Sequence, residues 1–282
     1  MSSNLKQKHK KLDTSFWDER RGKIFSSKGG WVIGEAVYSH GYSMMDDLVG
    51  KKSYFHTLIL NVTGRMVEDR MAKWLEATFN CMSFPDARLW CNHIGSLAGT
   101  LRASPGTGVT AGILASASGL YGHGTVRACA EFIIDALVKK RSGISAEEIV
   151  KTYPRLTPYT PPAIPGYSRP IATGDERVNA MERVTEELGF EIGEHLTLAY
   201  EIQEVLMKEY NEGMNLGGYG APFFCDQGFS PTEQVRIVCI NVNAGVNACY
   251  SEAFDNPPES FFPLRCDDMD YQGDPPRPVP DT

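Results

Sequence analysis

Residues 164–178, IPGYSRPIATGDERV, close a stretch in which the backbone has few ways to be regular. Six prolines fall between Thr152 and Pro170. Each fixes φ, removes an N–H donor and biases the residue before it away from helix. The segment reads as an extended, stiff loop, and a loop of roughly twenty residues within a compact domain is ordinarily functional or disordered. A Pro165-Gly166-Tyr167 turn leads to Arg169, and eight residues later comes Arg177, preceded by Asp175 and Glu176. Two guanidinium groups on one loop are a natural grip for carboxylates, because the planar fork matches two oxygens at once.

The rest of the chain is dominated by helical periodicity. Across residues 65–79, Met66, Val67, Met71, Trp74, Leu75 and Thr78/Phe79 recur three and four apart, which predicts one apolar helix face. Residues 125–140 repeat the pattern and end in a cationic turn before Gly143. Ser145 followed three residues later by Glu148 has the form of a capping box. Residues 182–188 and 191–210 predict two consecutive amphipathic helices. Residues 235–250 are apolar on all sides and read either as a buried helix or, in their β-rich first half, as a strand. Residues 31–38 predict a small N-terminal ribbon.

Composition narrows the function classes. With 282 residues, 42% hydrophobic and 22% charged, the chain can bury a sizeable core. A net charge of −7 argues against nucleic acid, which demands clustered Lys and Arg. The one basic run, KQKHKK at 6–11, reads as a solvated tail. No apolar stretch is long enough for a membrane span and no signal peptide opens the sequence, so a cytoplasmic location is expected. The seven cysteines are scattered without metal-like spacing, which fits a reducing compartment and predicts no metal. The glycine-rich runs lack the spacing that cradles a nucleotide.

Several stretches together resemble one family. Segment 34–65, with Gly41-Tyr42 and Asp47-Leu48 ahead of SYFHTLILNVTGR, resembles the opening of the citrate synthase superfamily in its short, citryl-CoA-lyase-like form. Segment 98–124, AGTLRASPGTGVTAGILASASGLYGHG, resembles the long buried helix that enters the family's first catalytic loop. Segment 164–178 resembles the second loop, MNLGGYGAPFFCDQGF (214–229) the third, and PLRCDDMDYQGDPPRP (263–278) the C-terminal arm.

The resemblance implies an all-α, citrate synthase-like fold of two helical domains that forms an obligate homodimer. Residues 1–124 and 231–282 would make the large domain, with 1–30 a flexible N-terminal segment. Residues 125–230 would make a small domain closing over the cleft. It also implies chemistry at a carbon–carbon bond beside a coenzyme A thioester. That thioester would be a co-substrate lying along Pro165, Gly166 and Tyr167.

The family's acid–base positions have changed. The enol-stabilising histidine falls on Gly122, with His123 next to it. The ketone-polarising histidine falls on Arg169, and the proton-abstracting aspartate on Gly217. A substrate-binding histidine falls near Trp90, with His93 three residues on. One arginine of the carboxylate clamp falls on Val242 or Asn243. Arg177 matches a retained carboxylate-binding arginine, and Arg265 matches the one delivered from the partner's arm.

His123 and Arg169 are therefore the expected catalytic pair, the first as proton acceptor and the second as a permanent cation for an oxyanion. Arg169 pairing with Asp175 or Glu176 is the plainer alternative. Arg177, Arg265, Trp90, His93, Tyr121 and Tyr219 are expected to contact substrate. Asp226, Glu212 or a substrate carboxylate would stand in for the missing base. The expected function is a carbon–carbon lyase or synthase on a coenzyme A thioester or a related carboxylate-bearing hydroxy or oxo acid, other than citrate synthesis itself. The alternative is a non-catalytic relative that binds a small acid or partners an active subunit.

Overall fold

The computed structural model describes residues 13–157, 159–169 and 172–280. The basic run at 6–11 lies outside them. The chain divides into two compact units at Val67/Glu68.

The first unit opens with a short helix α1 (Ser15–Arg20) and a three-stranded antiparallel sheet, β1 (Gly29–Val32), β2 (Ala36–Ser39) and β3 (Tyr42–Ser43). Gly29 pairs with Ser39 and Val32 with Ala36, so the ribbon expected over 31–38 is a hairpin turning at residues 33–35. A π-helical turn (Met44–Leu48) leads to α2 (Tyr54–Thr63). Ser53 and His56 cap α2 reciprocally, and Gly64 ends it at φ +79°.

The second unit is helical. Its elements are α3 (Asp69–Cys81), α4 (Trp90–Thr100), α5 (Pro105–Ala115), α6 (Val126–Arg141), α7 (Ala146–Thr152), α8 (Glu176–Glu187), α9 (Glu194–Tyr210), α10 (Leu216–Asp226), α11 (Pro231–Val238) and α12 (Asn243–Asp255). Helices α4, α5 and α12 pack on one another around Cys91, Val242 and Val246. A Cβ on Gly99 would lie 2.3 Å from the Tyr250 carbonyl oxygen, so α4 and α12 meet backbone to backbone. Helix α6 packs against α9, α10 and α11, and α3 packs on α8.

Several helix boundaries differ from the periodicity, each for a local reason. The expected long helix within 98–124 is two helices, because Arg102 turns at φ +59° and Ser104 caps α5 with Pro105 at its first position. The stretch 235–250 is helix throughout its ordered turns but breaks between Val238 and Asn243. Helix α3 begins only at Asp69, and α8 begins six residues before the expected 182 because Asp175 caps it. Helix α9 starts at Glu194, three residues after the expected 191, where Asp226 accepts the backbone N–H groups of His195 and Leu196.

Asp175 does more than cap. Its carboxylate is shielded from water (0% exposed). It accepts from Arg177 N–H (3.1 Å), Nε (2.8 Å) and Nη2 (2.6 Å), and from the Leu216 N–H (3.0 Å) at the start of α10. One side chain thus ties the first turns of α8 and α10 together. Burial pushes this carboxyl up, but the Arg177 hydrogen bonds and charge, with the two backbone donors, outweigh it and hold the pKa below the usual carboxylate value.

The second tie is steric. Gly166 lies at φ +92° against Gly218, and a Cβ on Gly218 would come within 2.1 Å of the Gly166 carbonyl oxygen. Gly218→Ala should therefore cost about 1–3 kcal/mol in a urea titration. Asp175→Asn should cost about 3 kcal/mol, since it strips the charge partner from a part-buried arginine. The Asp175 contribution is complete above the ordinary carboxylate pKa and fades as pH falls through the lowered one. The stability gap between wild type and Asp175→Asn should accordingly narrow in acid, as read by urea midpoints across pH.

Candidate functional site

The loop ending at Arg169 is zipped onto the segment that opens α10. Tyr167 and Met214 form an antiparallel bridge, Asn215 N–H donates to the Gly166 carbonyl (2.9 Å), and Asn215 Nδ2 donates to the Ser168 carbonyl (3.0 Å). The same Asn215 caps α10 by accepting from Gly217 and Gly218 N–H. Ser168 is held at φ +136°, a strained backbone for a residue with a Cβ, immediately before Arg169. The Tyr167 ring is buried and its hydroxyl donates to the Ala199 carbonyl in α9 (2.8 Å). Tyr167 is thus an anchor. With Gly166 also buried, only Pro165 of the expected coenzyme A stretch keeps side-chain surface exposed.

Arg169 and Arg177 are brought together around two carboxylates. Arg169 hydrogen-bonds Glu176 through Nη1 and through Nη2 (3.2 Å to Oε1), and its Nη1 lies 3.5 Å from Asp175 Oδ1. Arg177 gives its Nε–Nη2 edge to Asp175, while Nη1 faces Met82 Sδ at 3.3 Å. Both guanidinium groups sit in a locally neutral cluster of two cations and two anions. The plainer alternative for Arg169, pairing with its acidic neighbours, is what the structure contains.

A second set converges on the last turn of α5. Trp90 Nε1 donates to the Ala115 carbonyl (3.0 Å), and its ring packs against Tyr121 at 4.8 Å between centroids. Both rings keep a partly exposed face. Ser116 Oγ donates its hydrogen to the Ile113 carbonyl (2.7 Å), so it acts as acceptor toward His123 Nδ1 at 3.2 Å. His123 therefore carries its proton on Nδ1, and Nε2 holds the free lone pair. Burial lowers its pKa by penalising the cation, so the ring is a neutral base.

Other expected residues are placed differently. Tyr219 is buried with its hydroxyl hydrogen given to Thr185 Oγ1 (2.7 Å), which leaves none for a ligand. Thr185 in turn gives its own hydrogen to the Met181 carbonyl and accepts from Trp74 Nε1. His93 donates from Nδ1 to the Ala87 carbonyl (3.0 Å) and meets Phe261 and Phe262 edge-on. Arg265 stands exposed on the C-terminal segment, and among the described residues its guanidinium makes no ion pair. No hydrogen bond or ion pair among the described residues joins Arg177 to Arg265 or to His123.

Asp226 cannot supply the missing base without surrendering α9, because His195 N–H, His195 Nδ1 and Leu196 N–H all converge on it. Asn215, Ser116 and the hub role of Asp175 had not been singled out by sequence. An Asn ahead of Leu-Gly-Gly is a readable N-cap signal, whereas Ser116 had none.

No protein-family model matches the chain, and no curated protein sequence matches it. Solved structures do. Citryl-CoA lyase from Hydrogenobacter thermophilus superposes with a TM-score of 0.76 at 25% identity, over 92% of this chain and 98% of that one. ATP citrate lyase from Methanothrix soehngenii, solved with citrate and coenzyme A, gives 0.72 at 17% identity over 93% of this chain and 44% of that one. Citrate synthase from Thermoplasma acidophilum gives 0.58 at 15% identity over 81% and 59%. The last two speak for the fold alone. The end-to-end match to the first agrees with the ordered run of motifs along the sequence, and the chain is a short, citryl-CoA-lyase-like member of the citrate synthase superfamily.

Proposed function

We propose that the chain makes or breaks a carbon–carbon bond in a small, carboxylate-bearing acyl compound, with a coenzyme A thioester as co-substrate. The observation that carries this reading is His123, a neutral imidazole with Nδ1 committed to Ser116 and Nε2 left as a base. Cleavage of a β-hydroxy acyl compound requires a proton taken from a hydroxyl group and stabilisation of the enolate oxygen that forms. His123 Nε2 takes the proton, and Arg169 stabilises the oxyanion once its guanidinium is free of Glu176. Arg177, and Arg265 from a second copy, hold the carboxylate, while Trp90 and Tyr121 form an aromatic wall beside His123. Gly217 has no side chain with which to abstract an α-proton, so synthesis of citrate from an acetyl thioester is not the proposed reaction.

A homodimer is part of the proposal. Helices α4 and α5 contain no Lys, Arg, Asp or Glu, yet Leu97 and Leu114 are exposed on them, a face suited to a second copy. Closure of residues 125–230 over the site belongs to the same reading. A cytoplasmic location is supported by seven unpaired cysteines.

A second reading, a non-catalytic acid-binding relative, is favoured by one observation. Arg169, the group that would stabilise an oxyanion, is already paired with Glu176 and lies beside Asp175, whereas Arg265 is left without an ion pair among the described residues.

A thermal-shift panel of coenzyme A thioesters and di- and tricarboxylates, followed by mass-spectrometric turnover of the stabilising compounds, separates the two. The enzyme reading expects His123→Ala to lower kcat by about 10²–10⁴-fold with ligand stabilisation retained. It also expects the acid limb of wild-type kcat/KM to fall below pH of about 6.5, the ordinary imidazole value, because burial depresses the His123 pKa. Binding with no turnover, indifferent to His123→Ala, decides for the acid-binding relative.

A further inference from the structure

The two carboxylates on Arg169 are not equivalent. Asp175 is locked by the Arg177 fork and the Leu216 N–H, and it cannot leave without loosening α8 and α10. Glu176 stands on the first turn of α8 with its side chain 74% exposed, whereas that of Arg169 is only 16% exposed. Its carboxylate pairs with the two terminal nitrogens of Arg169. A pair with one partner this wet contributes little and opens readily, because water competes well for the free carboxylate. Arg169 would stay in place on opening, since its backbone is fixed by the Asn215 bond to Ser168 and its guanidinium remains beside Asp175. The cation is thus sheltered and permanent, and its outer ligand is exchangeable.

Resting on the anion-site reading above, we propose that Glu176 is a built-in carboxylate that occupies Arg169 until an acid ligand displaces it. It is thereby the residue that sets the site's affinity for charge. Displacement moves no proton and forms no covalent bond. One carboxylate replaces another on the same guanidinium, and Glu176 turns into solvent. The site then pays for every acid it binds by opening this pair, and a neutral isostere at position 176 removes that cost.

The test compares wild type with Glu176→Gln, and with Glu176→Ala as a second variant at this exposed position. Calorimetric titration uses citrate, succinate and the uncharged succinamide. Phenylglyoxal labelling of Arg169, read by peptide mass spectrometry, monitors the guanidinium directly. Both variants should bind citrate and succinate about two- to five-fold more tightly, in keeping with loss of an exposed ion pair, and gain nothing toward succinamide. Arg169 should label faster in the ligand-free variants and be protected by citrate. Unchanged or weaker acid binding in the variants, with wild type binding normally, overturns the competition while leaving the anion site standing. Unchanged Arg169 labelling does the same. Failure of all three proteins to bind either acid, with no protection of Arg169, removes the anion-site reading and the competition with it.

Discussion

The arrangement of the site depends on one dry carboxylate. The Asp175 carboxylate is closed off from solvent, so its lone pairs are met by protein, and the donors come from three places. They are the start of α8, the start of α10 and the Arg177 side chain. Because an unmatched buried charge is far more costly than a matched one is beneficial, this geometry is close to all-or-none. Arg177 cannot turn toward a ligand with its Nε–Nη2 edge while Asp175 remains ionised. Only the Nη1 side, now facing Met82 sulfur, is spare.

Much of this architecture was legible in the residues, and the illegible part has a physical explanation. Helix identity followed from apolar spacing in α3, α6 and α9, because one-sided burial leaves a period in the sequence. Boundaries were lost where a side chain distant in sequence sets the end, as Asp226 does for α9. The split of 98–124 was obscured because glycine and alanine carry no periodic signal, and only Ser104-Pro105 marked the new start. At the site, the pairing of Arg169 with its acidic neighbours was readable, whereas the Arg177 fork on Asp175 and the Ser116 contact of His123 were not. Both depend on groups that only the fold brings alongside, the Leu216 N–H for Asp175 and the end of α5 for His123. Tyr167 and Tyr219 were misplaced for a related reason, since a phenol in a glycine-rich loop can face either way and here both face the core.

The base and the cations sit in separate hydrogen-bond systems. His123 belongs to the end of α5 through Ser116, while Arg169 and Arg177 belong to the α8–α10 junction. Keeping the imidazole away from the two carboxylates keeps it neutral, because a neighbouring anion would favour the imidazolium and burial alone disfavours it.

The Thr185 hydroxyl has a practical consequence. It joins Trp74, stacked on Phe223 of α10, to Tyr219, the neighbour of Gly218 where the loop leans on that helix. Of the four tryptophans, Trp17 and Trp31 are solvent-exposed and Trp90 is partly so, whereas Trp74 is wholly enclosed. Its blue-edge fluorescence is therefore a native optical gauge of the α10 entrance, available without any attached dye.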